Sequence, residues 1–211
     1  MSGVSELPRK LQLAIKRGLD IAGAIFGFLV LAPVFALVAL CVPLDSPGNI
    51  FFKLRVAGRD GKAFDQWKFR TMVQNARDTA HRYETSARDP RITRAGRFLR
   101  RWSIDELPQL WNVLRGEMSL VGPRPTFLEI AERYSSEQAR RLQMRPGLTG
   151  LAQLQGRNLI PWERRITLDI AYIEKFSLWL DAKILCRTIP LLLRGTGVYG
   201  EGGAVKMHDL A

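Results

Sequence analysis

Ile21 to Leu44 runs for 24 residues without a charged side chain. No other stretch limits the fold so tightly. As an α-helix it would be roughly 35 Å long, enough to cross a bilayer. A secretory signal has a shorter apolar core ending in a small-residue cleavage site, whereas this run ends at Val42-Pro43-Leu44-Asp45. A helix buried in a soluble core is a second alternative, for which the run is long. Pro33 sits in the middle, where a proline removes a backbone donor and bends a helix. Both flanks are basic: Lys16 and Arg17 before, and Lys53, Arg55, Arg59 and Lys62 after. A full span is expected to keep Lys and Arg mainly on its cytoplasmic side. Two basic flanks favour a re-entrant hairpin, a helix-break-helix bent at Pro33 that returns to the side it entered from. Residues 1–20 read as a basic amphipathic lead-in lying among anionic lipid headgroups.

Formal charge points the same way. With 32 Lys and Arg against 20 Asp and Glu, the net charge of +12 calls for an anionic partner: nucleic acid, a phosphorylated substrate or anionic lipid. Nucleic acid is the weakest of these, because no aromatic RNA-binding motif occurs and it leaves the apolar run unexplained. Cys41 and Cys186 are the two cysteines and Cys41 lies inside the apolar run, so a disulfide framework is not expected. With only His81 and His208 and no CxxC, neither is a zinc site.

After the turn cluster Asp45-Ser46-Pro47-Gly48-Asn49, Ile50–Val56 and Ala63–Phe69 read as two strands of a hairpin around an Asp-Gly turn. Lys68 and Arg70 would share one strand face, which alone is ordinary surface charge. Residues 73–90 are polar, a loop or mobile helix. Arg91, Arg94, Arg97 and Arg100 then recur every third position; on a helix begun at Thr93 the last three share a face, where something anionic would relieve their repulsion.

Asp105-Glu106 is the pair of residues in the chain best suited to chemistry. Ser103-x-x-Glu106 matches a capping box, but Pro108 would then fall inside the helix, so Asp105 is the better cap. A helix start keeps a carboxylate ionised and attracts phosphate. An ionised Asp can attack phosphorus, and Glu106 can hold Mg²⁺ beside it; on these residues alone, simple capping remains the stronger alternative. Arg115-Gly116 stops the following helix. Arg124, between Pro123 and Pro125, is aimed rigidly and suits bidentate phosphate binding. Thr126-x-x-Glu129 and Ser135-x-x-Gln138 look like capping boxes. Amphipathic helices are expected from Trp162 to Phe176 and Leu178 to Leu193, with Trp162 and Trp179 suited to a membrane interface.

Five motifs then occur in order: residues 68–72 (KFRTM), 103–109 (SIDELPQ), 118–125 (MSLVGPRP), 145–153 (RPGLTGLAQ) and 156–158 (GRN). Together with the apolar run they closely resemble the bacterial sugar transferase family, the monotopic polyprenyl-phosphate phosphoglycosyl transferases, over about residues 10–198. The resemblance implies transfer of a sugar-1-phosphate from a UDP-sugar to polyprenyl (undecaprenyl) phosphate, releasing UMP, by a Mg²⁺-dependent ping-pong mechanism. It implies Asp105 as nucleophile and Glu106, with Asp105, at the metal. Lys68, Arg70, Arg100 and Arg124 would bind donor phosphate, with Arg157 and Asp169 in the later donor-binding motifs. Lys16, Arg17 and Pro33 would belong to the membrane hairpin. The implied place is the cytoplasmic face of the bacterial inner membrane, and only about ten residues precede the core, as in the small form of the family.

The expected fold is therefore mainly α with a small β-hairpin (α+β): a lead-in and re-entrant hairpin over 1–45, a cytosolic-face catalytic domain with amphipathic interfacial helices over 46–198, and a flexible tail over 199–211. A non-enzymatic scaffold for polysaccharide assembly is the competing function. A homodimer is compatible with the sequence, and no short motif names the sugar.

Overall fold

The computed structural model describes residues 7–74, 76, 86 and 88–195. Most of the polar stretch 73–90, and all of the expected tail 199–211, lie outside the described residues.

The apolar run forms the C-terminal two thirds of one helix, α1 (Arg9–Asp45), which continues through both Pro33 and Pro43. The expected break into two helices is thus corrected to a single helix with proline inside it. Pro33 leaves the carbonyl of Leu29 without its helical donor, a loss that can bend a helix without ending it. One stripe of α1 is buried: Lys16, Asp20 and Ala24, then Val38 and Val42. These recur at four-residue steps, which place side chains one above another. Leu13 packs on the cluster of Val121, Tyr172 and Ile184. Ala24 belongs to the cluster of Val56, Leu110, Val113 and Met118. Val38 and Val42 join Phe69 and Leu99. The rest of the domain therefore lies along α1 from its first turns to its last. The opposite face, with Leu19, Phe26, Leu29, Val30, Leu37, Leu40 and Leu44, is exposed.

The hairpin forms as expected, β1 (Phe51–Ala57) against β2 (Ala63–Phe69), in antiparallel register from Phe51 opposite Phe69 to Ala57 opposite Ala63. Thr93 caps α2 (Arg94–Arg101) through its side chain. A 3-10 turn over Ile104–Glu106 leads into α3 (Gln109–Arg115), which stops at Gly116. Gly116 has φ 82°, a left-handed value that favours glycine. Two later strand pairings carry no local sequence signal. β3 (Ser119–Val121) runs parallel to β5 (Gly147–Thr149), and β4 (Thr126–Phe127) adds to the free edge of β1. Thr126 is therefore a strand residue; α4 (Leu128–Ala131) begins after it without a side-chain cap. Ser135 and Gln138 do form the capping box of α5 (Ser136–Ala139). The last described helices are α6 (Leu151–Leu154), α7 (Trp162–Glu174) and α8 (Leu178–Arg194).

The two cations before the apolar run turn inward. Lys16 Nζ meets Asp181 Oδ2 of α8 at 2.5 Å and is buried. Arg17 donates to the carbonyls of Val113 and Leu114 at 2.7 and 3.0 Å, capping the C-terminal end of α3. Their expected role at the lipid headgroups is replaced by a structural one.

Candidate active site

The carboxylates sit on the 3-10 turn Ile104–Glu106, entered through Ser103 at φ 56°. Such strain in a non-glycine residue costs on the order of 1 kcal/mol and recurs at functional sites. Successive three-residue turns, closed by bonds from Glu106 N to Ser103 O and from Leu107 N to Ile104 O, carry the chain to Pro108, which stands as N-cap of α3. Asp105 makes no capping hydrogen bond, so the expected cap is corrected: the tighter turn accommodates Pro108 instead. Ile104 and Leu107, either side of the pair, pack onto the cluster that holds Val38 and Val42 of α1.

Glu106 is gripped from two elements. Lys68 Nζ of β2 lies 2.8 Å from Oε1, and Arg124 Nη2 donates to the same oxygen at 2.8 Å. Arg124 lies in the loop between β3 and β4. The fully buried Asn112 of α3 helps place Lys68: its Oδ1 accepts from Trp67 N at 3.0 Å and its Nδ2 donates to Asp65 O at 2.7 Å. β2 is thereby locked to the helix that follows the carboxylates.

The neighbouring carboxylates diverge electrostatically. Burial works to raise the pKa of Glu106, but Arg124 and Lys68 outweigh it and hold Glu106 far below the usual carboxylate range. Asp105 is pushed up by burial; Lys68, Arg100 and Arg124 oppose this, while Glu106 adds to it. The expectation that a helix start keeps Asp105 ionised is corrected, since desolvation dominates. Asp105 is also buried without a hydrogen bond among the described residues, which leaves its oxygens uncommitted.

The remaining expected residues divide. Arg100 donates to Thr71 at 2.8 Å, with its charge close enough to lower the proton affinity of Asp105. Arg157, at φ 52°, interacts electrostatically with Glu106, Asp105 and Arg124. Arg70 does not join them. It lies one residue past β2 and donates to Asn49 O, Pro47 O and both oxygens of Ser46, so it secures the turn after α1. Asp169 faces inward to a buried ion pair with Arg141. Arg141 in turn donates to Tyr134 Oη at 2.6 Å and to the carbonyl of Arg124 at 3.1 Å. Asp169 thus reaches the site through Arg141.

Arg141 and Arg165 were missed. Arg141 lies in an Arg-Arg pair that reads as surface charge, and Arg165 in another. Arg165 donates to Ile160 O at 3.1 Å and Asn158 Oδ1 at 3.3 Å, bracing the turn that carries Arg157. Burial, with Arg124 and Arg141 nearby, pushes its pKa down to about 10. Trp162, expected at a membrane interface, stacks with Arg141 and Arg165 at 5.0 and 5.8 Å from its ring centroid. Trp179 is 77% exposed.

A family model described as bacterial sugar transferase matches residues 11–195. The chain belongs to the bacterial sugar transferase family. Among similar proteins, the UDP-glucose:undecaprenyl-phosphate glucose-1-phosphate transferase of Caulobacter vibrioides is 45% identical over 203 residues, covering 92% of this chain and 75% of that one. The UDP-galactose-lipid carrier transferase of Erwinia amylovora is 42% identical over 199 residues, covering 88% of this chain and 42% of its own. Galactosyl transferase CpsE of Streptococcus agalactiae is 43% identical, with 88% and 43% covered. The chain thus spans less than half the length of the last two. In this sugar transferase the first three ordered motifs meet physically, Lys68 and Arg124 both closing on Glu106.

Proposed function

We propose that this sugar transferase moves a sugar-1-phosphate from a UDP-sugar to polyprenyl phosphate at the cytoplasmic face of the inner membrane. The observation that carries the proposal is the setting of Asp105: a buried, uncommitted carboxylate among Lys68, Arg100 and Arg124, on a turn whose neighbours Ile104 and Leu107 join the cluster of Phe69, Leu99 and α1 residues Val38 and Val42. A carboxylate among cations that suit phosphate thus shares a hydrophobic cluster with the helix most suited to lipid. The names of the Caulobacter and Erwinia relatives, one acting on undecaprenyl phosphate and one on a lipid carrier, support the same acceptor class. Those names include glucose and galactose, so the proposal concerns the phosphosugar transfer itself.

In the first step an Asp105 oxygen bonds to the phosphorus that bears the sugar. The phosphoanhydride P–O bond breaks, and UMP leaves with the bonding electrons. In the second, an oxygen of polyprenyl phosphate attacks that phosphorus and the Asp105 carboxylate departs. Arg124, Arg157 and Lys68 bind and orient the diphosphate. Asp105 and Glu106 offer hard oxygen donors for Mg²⁺, and the uncommitted Asp105 fits such a role. Among the described residues no group of three or more His, Cys, Asp or Glu could hold a metal, so the fit is to an ion shared with substrate phosphates. A bound Mg²⁺ would supply charge neutralisation for the diphosphate.

For the membrane, we propose monotopic insertion with both ends of α1 on one side. Its most apolar 18-residue window is only 11% buried, unlike the core helix of a soluble domain. Yet α1 packs on the domain from Leu13 to Val42. A straight span would carry one end about 30 Å from the domain. α8 adds an interfacial face with Trp179, Ile189 and Leu193 exposed.

The decisive assay mixes detergent-purified protein with Mg²⁺, polyprenyl phosphate and a UDP-sugar panel and measures UMP. Wild type should release UMP with at least one sugar, and Asp105→Asn should lose at least about a thousandfold. Full activity of Asp105→Asn would sink the nucleophile assignment. Cysteines introduced at Gln12 and Lys62 should label from the same side of the membrane; labelling from opposite sides would overturn the monotopic insertion.

A further inference from the structure

A buried polar network joins α1 to the strand that delivers Arg124, and neither the nucleophile nor the phosphate site uses it. Asp20 Oδ1 accepts from Leu120 N and from Ser119 Oγ, each at 3.0 Å. One turn earlier on α1, Lys16 lies 3.8 Å from Asp20 and 2.5 Å from Asp181. Asp181 Oδ1 accepts from Tyr172 Oη at 2.7 Å, and Tyr172 Oη also lies 3.2 Å from the carbonyl of Val121. β3 is thus held along its length by side chains from α1 and α7. All five side chains, Lys16, Asp20, Ser119, Tyr172 and Asp181, are buried.

Downstream of β3 the backbone has little freedom. Gly122 N donates to Thr149 O at 2.9 Å, and Gly147 N donates to Pro123 O at 2.8 Å. The strands cross so closely that a Cβ on Gly122 would lie 2.4 Å from Arg145 O. Pro123 and Pro125 restrict the next residues. A displacement of β3 is therefore passed to Arg124, two residues beyond the glycine, and so to Glu106.

We propose that Asp20 is a positioning residue that ties Arg124, through β3, to the membrane helix α1. A polar side chain placed immediately before a 24-residue uncharged run is costly to bury and needs a partner. Its partner here is the backbone of β3, in a charge-assisted bond at the point where α1 becomes wholly apolar. The seating of α1 and the aim of the phosphate-binding arginine share one connection.

The inference rests on the proposed phosphosugar transfer, and two measurements separate their fates. The first needs no turnover: hydrogen exchange followed by mass spectrometry on wild type and Asp20→Ala. Amides of residues 119–122 and 124 should exchange about tenfold faster in the variant, because the Leu120 acceptor is gone, while those of β2 keep their rate. Unchanged exchange over 119–124 would overturn the tie. The second is a double-mutant cycle on UMP release, Asp20→Ala with Arg124→Gln. Asp20→Ala alone should lower kcat/KM about tenfold, and in the Arg124→Gln background by less than about twofold. Additive losses would show that Asp20 only supports the fold and would overturn the positioning role. Should Asp20→Ala fold poorly, Ser119→Ala removes a single donor and should give the same non-additivity at smaller size. A wild type that releases no UMP while exchange behaves as stated would remove the reading of function and leave the mechanical link standing.

Discussion

Two arginine–carboxylate pairs lie one hydrogen bond apart, and their burial differs sharply. Arg141 and Asp169 are 2% and 1% exposed in their side chains. Arg124 and Glu106 are 38% and 17% exposed, and Lys68 on the other side of Glu106 is 19% exposed. The joint is the bond from Arg141 to the carbonyl of Arg124. The sealed pair cannot reach a ligand, and it holds the backbone of the residue that can. Asp169 Oδ1 and Arg141 Nε are buried without hydrogen-bond partners among the described residues, so the sealed pair is held at some cost. The same two residue types therefore do different work according to solvent access. A charged residue in a family motif is not thereby a ligand contact.

The sealed pair should give the largest effect. Arg141→Met leaves Asp169 buried without its cation and should destabilise the protein by about 3–5 kcal/mol, seen as a large fall in Tm in detergent. A variant that keeps its Tm would show that the pair does not hold the Arg124 loop. Lys68→Met should behave in the opposite manner. Arg124 remains on Glu106, so the loss in stability should be about 1 kcal/mol or less, whereas UMP release should drop at least about tenfold.

The smallest expected effect is on pH dependence. As the proposed nucleophile, Asp105 must be ionised to attack, so activity should be lost as pH falls through its pKa. Burial raises that pKa, and the acid limb of kcat/KM should lie above the ordinary carboxylate range. Lys68, Arg100 and Arg124 lower the proton affinity of Asp105 and Glu106 raises it. Lys68→Met should therefore move the acid limb to higher pH; a limb that stays in place would separate Lys68 from Asp105.

What the sequence disclosed followed from how local each signal is. The β1–β2 hairpin, the stop at Gly116 and the box at Ser135 depend on neighbours within a few residues, and all three formed. The parallel pairing of β3 with β5 joins three-residue strands far apart in the chain, too short to show a period. Arg70 illustrates a different failure. It shares a motif with Lys68 and alternation puts both on one face, but the strand ends at Phe69 and the guanidinium turns to residues 46–49. Lys16 and Arg17 were expected at lipid because they precede the apolar run; their partners, Asp181, Val113 and Leu114, lie far along the chain. Asp105 and Glu106 were visible as a pair, but their opposite proton affinities depend on cations brought by β2, α2 and the Arg124 loop.

The packing of Ile104 and Leu107 on the residues around Val38 and Val42 has a consequence for the lipid acceptor. With α1 in the bilayer as proposed, the proposed nucleophile Asp105 would be held at a fixed height, close to the depth at which a lipid phosphate already resides. Drawing a polyprenyl tail into water would cost about 0.8 kcal/mol for every exposed methylene. A carboxylate held at headgroup level meets the acceptor phosphate with that tail still dissolved in the membrane, so diffusion in two dimensions replaces extraction.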